Sequence, residues 1–417
     1  MVTDTFIDEL VESIKRGVAE RKRLPVSVYR LQFNRSFTFG DAARVVPYLY
    51  ELGITDCYAS PYLRARSGSM HGYDISDHNA INPEIGSRKD FNHFVSQLQK
   101  CTMGQVLDFA PNHMGIFDNP RWQGILKNGP SSFHSRFFDI DWEPIKPELH
   151  QKVLLPILED LYGAVLEKGM LVLTFEEGAF AIKYHNHSLP VDPKTAVAVL
   201  ESCLRALQSV LGAENHDYLE LQSIVTACKN LPERHETTPE KIAERHREGE
   251  IIERRLWSLY QKNEEIRKAI DAEVKILNGK VGDSYSFSQL HNLLEKQAYR
   301  LSYWRVAAEE INYRRFFDIN ELVALRMQDP VVFSETHRLL RELLVTGAIT
   351  GVRIDHVDGL FNPGNYLWRL QKAAWVDLCL HKAELDIQSP KADRAELEEK
   401  LSQRFDLERA NDPDSAA

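Results

Sequence analysis

Between residues 26 and 109 the chain alternates between short β-type runs and amphipathic helical runs, and this rhythm restricts the fold more than any other feature. Val26-Ser-Val-Tyr-Arg-Leu-Gln-Phe33 follows Pro25 and is rich in β-branched and aromatic residues, so it reads as a strand. Thr38 to Leu52 reads as a helix closed by Gly53, with Val45, Tyr48, Leu49 and Leu52 on one face. A second strand is expected over Thr55-Asp-Cys-Tyr-Ala-Ser60, followed by a long polar loop that contains His71-Gly-Tyr-Asp74. Ser87 and Asp90 open another helix through Gln99, and Gln105-Val-Leu-Asp-Phe109 is the third strand. A β–α–β–α–β succession requires parallel strands joined by right-handed crossovers. A helix is also expected ahead of it, over residues 5–23.

The rhythm then lapses. Pro120 to Leu149 reads as an aromatic loop, with Trp122, Phe133, Phe137, Phe138 and Trp142. Leu171–Phe175 and Ala179–Tyr184 flank Glu176-Glu-Gly178 and read as a hairpin. Asp192-Pro193 is a natural cap and first position for a helix whose stripe is Val197, Leu200, Leu204, Leu207 and Leu211, stopped by Gly212. Residues 233–278 are more charged but keep near-helical apolar spacing, so the region reads as an inserted helical subdomain. The α/β pattern resumes near Phe316. Pro330 to Val345 is an expected amphipathic helix, Ile349-Thr-Gly-Val-Arg-Ile354 a fourth strand, and Pro363 to about Leu380 a further helix.

The formal charge of −10 argues against nucleic acid, which needs a basic face. Cys57, Cys101, Cys203, Cys228 and Cys379 show no metal-ligand or redox spacing and are expected to be reduced and buried. Met1-Val-Thr-Asp-Thr-Phe-Ile-Asp8 lacks the basic start and apolar segment of a signal peptide. No apolar run approaches the roughly 20 residues of a membrane span. A soluble cytoplasmic protein without a membrane or nucleic-acid partner is the expectation.

Two strands end in ionisable side chains: Asp108-Phe-Ala-Pro-Asn-His113 and Gly351-Val-Arg-Ile-Asp-His356. A parallel α/β sheet shows this where its strands reach a ligand. Arg353 and Asp355 are two apart, so on a strand they share a face, and the arginine would keep the carboxylate ionised and oriented as a nucleophile requires. A structural ion pair at a strand end is the competing reading. A lone His113 is most often a core residue, but beside Asn112 and just after a strand it is also a candidate hydroxyl binder. His71, Asp74, Asp108, His113 and His356 are residue types that can ligate a metal, but none has the spacing that marks a metal site. No metal or other cofactor is expected. Tyr73, Trp122, Trp142, Tyr303 and Trp304 offer flat faces suited to pyranose rings, although core packing suits each of them as well.

The two strand-tip stretches resemble the first and second signature regions of glycoside hydrolase family 13, the α-amylase superfamily. Ser69–His78, Leu290–Trp304, Glu310–Leu322 and Val28–Phe33 add resemblance to a branch of it that forms trehalose ends on glucans. The resemblance implies a (β/α)8 barrel, of TIM-barrel type, that acts on maltooligosaccharides or linear α-1,4-glucans. Such a barrel would turn the reducing-end α-1,4 linkage into an α,α-1,1 linkage by intramolecular transglucosylation. It implies Asp355 as nucleophile, Arg353 as the residue that orients it, and Asp108 as the acidic partner of that arginine. His71, Tyr73, Asn112, His113 and His356 are the implied substrate binders.

One part of the pattern is missing. The family's general acid is a Glu on the fifth strand, and no strand with a Glu at its tip is legible after Phe361. Glu384, Glu396, Glu398, Glu399 and Glu408 lie in charged sequence that suits a solvated surface. Only the first four barrel strands are therefore expected, with the long, mostly helical insertion between strands three and four. The expected organisation is residues 1–115 as the first part of the barrel, 116–315 as the insertion, 316–380 as the continuation with the nucleophile strand, and 381–417 as a flexible charged tail. Four strands alone would leave open edges, so a C-terminal half of the same enzyme is an expected partner. An α-glucan hydrolase and a non-catalytic glucan-binding or split-enzyme subunit are the competing functions.

Overall fold

The computed structural model describes residues 3–21, 24–385 and 393–411. It divides into two compact units, one made of Met1–Met114 with Leu325–Ala417 and the other of Gly115–Ala324.

The first unit is built in the order α1 (Asp4–Arg21), β1 (Val28–Leu31), α2 (Phe39–Glu51), β2 (Asp56–Ala59), β3 (Leu63–Ala65), β4 (Ile75–Ile81), α3 (Arg88–Lys100) and β5 (Gly104–Phe109). After the second unit it resumes with α4 (Pro330–Thr336), α5 (Arg338–Val345), β6 (Gly351–Ile354), α6 (Pro363–Leu385) and α7 (Arg394–Asn411). Strands β1, β2, β5 and β6 form one parallel sheet in that order. Neighbours in space follow the order of the chain, with no reversal, so right-handed crossovers carry the helices to one face. The side chains divide accordingly. Leu31, Cys57, Ala59, Leu107 and Phe109 are buried, whereas the alternate positions Arg30, Tyr58, Val106 and Asp108 fall on the opposite face.

Local sequence explains the elements. Thr38 and Ser87 cap α2 and α3, each in a reciprocal capping box with Asp41 or Asp90. Phe33, Phe39, Tyr62, Phe91 and Phe94 then pack as an aromatic cluster of edge-to-face, tilted and stacked pairs, with centroids 5.2–6.3 Å apart.

Several expectations change. The polar loop after β2 contains an antiparallel hairpin, β3–β4, because Leu63, Ala65 and Ile75 bury one face. Its turn needs Gly72, at φ +79°, where a Cβ would sit 2.3 Å from the Pro61 carbonyl oxygen. Pro330–Val345 is two helices, broken at the fully buried His337, whose Nε2 lies 2.8 Å from the Tyr366 hydroxyl. Residues 394–411, expected to be part of a flexible tail, form α7. Leu397 and Leu401 are buried there against Ile7, Leu10 and Val11 of α1 and Val376, Cys379 and Leu380 of α6. Of the five cysteines, Cys101 is only partly buried.

In the second unit, Val172–Glu176, Ala179–Tyr184 and His187–Pro190 make a three-stranded antiparallel sheet, one strand more than the expected hairpin. Four helices, Val197–Leu211, His216–Asn230, Pro239–Lys262 and Glu264–Leu277, supply the helical character foreseen in the sequence. The first begins at Val197 rather than at Asp192-Pro193: Asp192 Oδ1 accepts from the Lys194 N–H at 3.0 Å and so caps a turn ahead of the helix, while its Oδ2 forms a buried ion pair with Arg245 at 2.6 Å. The aromatic loop contains a helix, Pro120–Asn128, which the Asn119 side chain caps. Val153–Leu158 and Tyr299–Tyr303 pair in parallel. No described helix is long and apolar enough to cross a membrane.

The α1–α6–α7 cluster gives a direct test. Leu401 is fully buried, so Leu401→Ala should lower unfolding stability by about 2–5 kcal/mol, read from urea denaturation. A change within error would mean that α7 does not pack as described.

Candidate active site

The strand register sets out one polar row. Arg30 pairs with Tyr58 across β1–β2, Tyr58 with Val106 across β2–β5, and Arg353 with Asp108 across β6–β5. Side chains two apart share a face, so Asp108 and Asp355 extend the row towards the C-terminal ends of β5 and β6. The Asp355 backbone N–H donates to the Phe109 carbonyl at 2.8 Å, which ties the two strand tips together.

Asp108 is the centre of the row, with a fully buried side chain. Its Oδ2 accepts from the Tyr58 and Tyr73 hydroxyls, both at 2.6 Å, and from Arg30 Nη1 at 3.2 Å. Its Oδ1 accepts from Arg353 Nη1 at 2.9 Å. Burial alone would raise its pKa, but these four donors outweigh it and hold the carboxyl below the usual range. The same bonds act on the donors. Burial and the bond to Asp108 push the Tyr73 hydroxyl up to about 12, and Asp108 and Asp355 raise Arg353 against the effect of burial.

Arg353 Nη1 also donates to Asp355 Oδ1. A single guanidinium is thus shared by a buried carboxylate and by one whose side chain is 19% exposed. Asp108 is saturated by donors and serves as a fixed anion. Asp355, at the rim and oriented by Arg353, is the carboxylate placed to meet a ligand. Two aspartates and two arginines leave the cluster near neutrality, which suits an uncharged, hydroxyl-bearing substrate.

The remaining sequence-derived residues divide. Tyr73 joins the cluster directly, and its carbonyl lies 3.0 Å from His113 Nε2. His113 Nδ1 is 2.9 Å from Asn112 Oδ1, so Asn112 orients the ring. Burial lowers the His113 pKa to about 4 and keeps it neutral. His356 follows Asp355 in the left-handed conformation, φ 51°. His71 is turned to its own loop: the Tyr73 N–H donates to its Nδ1 at 3.1 Å, and Asp74 lies at 3.8 Å. Among the described residues no three His, Cys, Asp or Glu side chains converge as a metal site requires.

Arg30 and Tyr58 were not foreseen. Strand alternation in Val28–Phe33 separates Arg30 and Gln32 from Tyr29, Leu31 and Phe33, which marks the polar face. Which carboxylate Arg30 meets depends on a strand far along the chain.

Comparison with known proteins agrees with this arrangement. Residues 35–147 match the family model described as alpha amylase, catalytic domain. The structure of maltooligosyltrehalose synthase from Arthrobacter ramosus superposes with a TM-score of 0.56 at 28% identity, covering 84% of this chain and 34% of that one. The chain is a homologue of the maltooligosyl trehalose synthases. A Mycobacterium tuberculosis protein with the provisional designation maltooligosyl trehalose synthase is 26% identical over 363 residues, 84% of this chain and 34% of its own length. The intracellular maltogenic amylase of Bacillus subtilis is 34% identical over 119 residues, 28% of this chain and 20% of its own. This chain therefore spans about a third of the length of the synthase relatives it matches. Matches to these α/β glycosidases agree with the parallel, singly wound sheet.

The buried histidine sets a pH dependence. His113 titrates near 6.5 when unfolded and at about 4 when folded, so the unfolded chain takes up the proton first on acidification. The stability it contributes is complete above pH 6.5 and is lost as pH falls towards 4. Asp108 adds a loss of the same sign only below about pH 3.8, its ordinary value. His113→Gln should reduce the fall in unfolding free energy between pH 6.5 and 4, read from urea denaturation, by on the order of 3 kcal/mol. An unchanged slope would exclude a buried neutral His113.

Proposed function

We propose that this chain carries the nucleophile side of an active site that rearranges the reducing end of maltooligosaccharides. In this reading an α-1,4 linkage is broken and the released glucose is rejoined through an α,α-1,1 bond, an intramolecular transglucosylation that makes trehalose ends. The observation that carries it is Asp355, held at a strand tip by Arg353, which the buried Asp108 anchors on the neighbouring strand. Likeness to the synthases over 84% of the chain supports this choice within the superfamily.

The site's residues fit a retaining double displacement. Asp355 attacks the anomeric carbon and forms a glycosyl-enzyme as the glycosidic C–O bond breaks. The departing oxygen takes a proton from a general acid; the 1-hydroxyl of the glucose just released then attacks the same carbon, returns a proton to that acid's conjugate base, and Asp355 leaves. Arg353 orients Asp355, Tyr73 stacks on the reacting ring, and the neutral His113, with His71, Asn112 and His356, binds hydroxyls. Asp108 fixes Arg353, Tyr58 and Tyr73 and takes no proton.

Such a mechanism needs an acid about 5–5.5 Å from the nucleophile. Three of the five described glutamates after Phe361 have partners elsewhere. Glu384 pairs with Arg394, Glu408 with Lys15 and Arg404, and Glu399 accepts from Gln403, all on α1, α6 and α7. In our reading the acid comes from polypeptide equivalent to the part of the synthases that this chain does not match, as a C-terminal half closing a (β/α)8 barrel begun by β1, β2, β5 and β6. The working location would be the cytoplasm. The Bacillus amylase match keeps an α-glucan hydrolase as the second reading, in which water replaces the glucose hydroxyl.

Incubation of the 417-residue chain with maltopentaose tests the proposal. The chain alone should convert no measurable reducing ends, because loss of general acid catalysis costs about 10²–10⁴-fold or more. Supplying the complementary polypeptide should give trehalose-ended pentasaccharide, and Asp355→Asn should abolish it. Glucose and maltose as the dominant products would favour the hydrolase. Robust turnover by the chain alone would refute the missing acid.

A further inference from the structure

An open cavity of about 480 Å3 lies within the unit Gly115–Ala324, apart in sequence from the Asp108–Arg353–Asp355 cluster, and no step proposed above uses it. Three chain segments meet around it and are bonded to one another. The buried Gln297 accepts from the Asp192 N–H at 3.0 Å and donates to Thr195 Oγ1 at 2.9 Å. Lys194 Nζ donates to the Leu231 carbonyl and pairs with Glu233 at 2.7 Å. Residues 192–198, 231–234 and 295–297 therefore form one fixed wall.

The charges of this wall do not cancel. Each of its four carboxylates has a cation: Asp192 pairs with Arg245 at 2.6 Å, Glu201 with Lys229 at 2.6 Å, Glu233 with Lys194, and Glu295 with Arg300 at 3.1 Å. Arg234 and Lys296 are left over, and neither has a hydrogen bond or ion pair among the described residues. Lys296 is exposed, but Arg234 is half-buried. Its Nη1 is closed to water and meets no acceptor, whereas Nε and Nη2 keep accessible surface. Burial lowers the pKa of this guanidinium; Asp192 and Glu233 oppose the shift without bonding to it, and Arg245 adds to it. An arginine stays charged all the same. Buried charge is normally paired, and the surplus here is positive.

The accessible part of Arg234 is also the part shaped for an oxyanion. Nε–H and Nη2–H lie along one edge of a guanidinium and can donate in parallel to two oxygens of one carboxylate or phosphate. Arg341 uses this edge elsewhere in the protein, donating from Nε and Nη2 to the two oxygens of Asp377, both at 2.6 Å. There a side chain of the protein fills the fork. At Arg234 no side chain does, and the residue lines the cavity together with Lys296.

We infer that this cavity binds the oxyanion group of a small molecule, a phosphate ester or a carboxylate, in the Nε–Nη2 fork of Arg234 with Lys296 as the second cation. The inference rests on the residues of this unit and stands whether or not Asp355 is a nucleophile.

Isothermal titration calorimetry on the whole chain decides it, with inorganic phosphate and acetate as separate probes and sodium chloride holding the ionic strength. One of the two should bind at a single site, and whether phosphate or acetate binds more tightly tells a phosphate ester from a carboxylate. Arg234→Lys, which keeps the charge and loses the fork, should weaken binding about tenfold. Lys296→Gln should weaken it by less, and Asp355→Asn should leave it unchanged. The bound probe should raise the thermal midpoint of the parent and not that of Arg234→Met. Without probe, Arg234→Met should unfold at or above the parent's midpoint, because it removes a charge that has no bonded partner, and this separates lost binding from lost folding. No heat from either probe beyond the chloride control, or binding unmoved by both Arg234→Lys and Arg234→Met, would overturn the assignment.

Discussion

The Asp108 carboxylate is a buried charge that the sheet must compensate, and all four parallel strands take part in doing so. Arg30 comes from β1, Tyr58 from β2, Asp108 itself from β5 and Arg353 from β6. Burying an ion costs several kcal/mol unless its hydrogen bonds are replaced. The four donors replace them only in the observed register, since a slip of one residue would turn Arg353 to the helix-covered face. The β3–β4 hairpin is drawn into the same requirement, because Tyr73 in its turn gives the second short hydroxyl bond. Strand register, loop conformation and site geometry are thus satisfied together.

This arrangement gives Asp108 and Asp355 different work although both touch one arginine. The inner carboxylate is screened from ligand and fixes the guanidinium, and the outer one receives that guanidinium while facing outward. A surface arginine would lose much side-chain freedom on holding Asp355. Arg353 has already been ordered by Asp108. His113 follows the same logic, because burial keeps it neutral and Asn112 sets the direction of its ring.

Much of this was legible in the residues. The β–α–β rhythm, the two capped helices and the Arg353–Asp355 spacing all arise from contacts within a few positions, where periodicity and capping chemistry act. The misreadings share a different cause. Leu397 and Leu401 are two apolar residues in a charged run and look insufficient for a core until α1 and α6 supply the other side of the cluster. Asp192 does accept the Lys194 N–H as a cap would, but its other oxygen meets a buried Arg245 from a later helix, and the helix starts only at Val197. Arg30 lies on the expected strand, yet its partner is two strands away. The sequence could not set these outcomes locally, because each depends on a partner from a distant segment.

His356 lies directly after Asp355 in a left-handed conformation that non-glycine residues seldom adopt. A Cβ at Gly359 would lie 2.3 Å from two atoms of its imidazole. The missing side chain at 359 is therefore the space in which the ring at 356 sits. The two positions are coupled by volume rather than by a bond. A smaller residue at 356 would relax the demand for glycine at 359, while a larger one at 359 is compatible only with a ring that has moved away from the end of β6. Relatives that have changed one of these residues are accordingly the ones in which the other is released to change, and divergence along this turn should proceed in pairs.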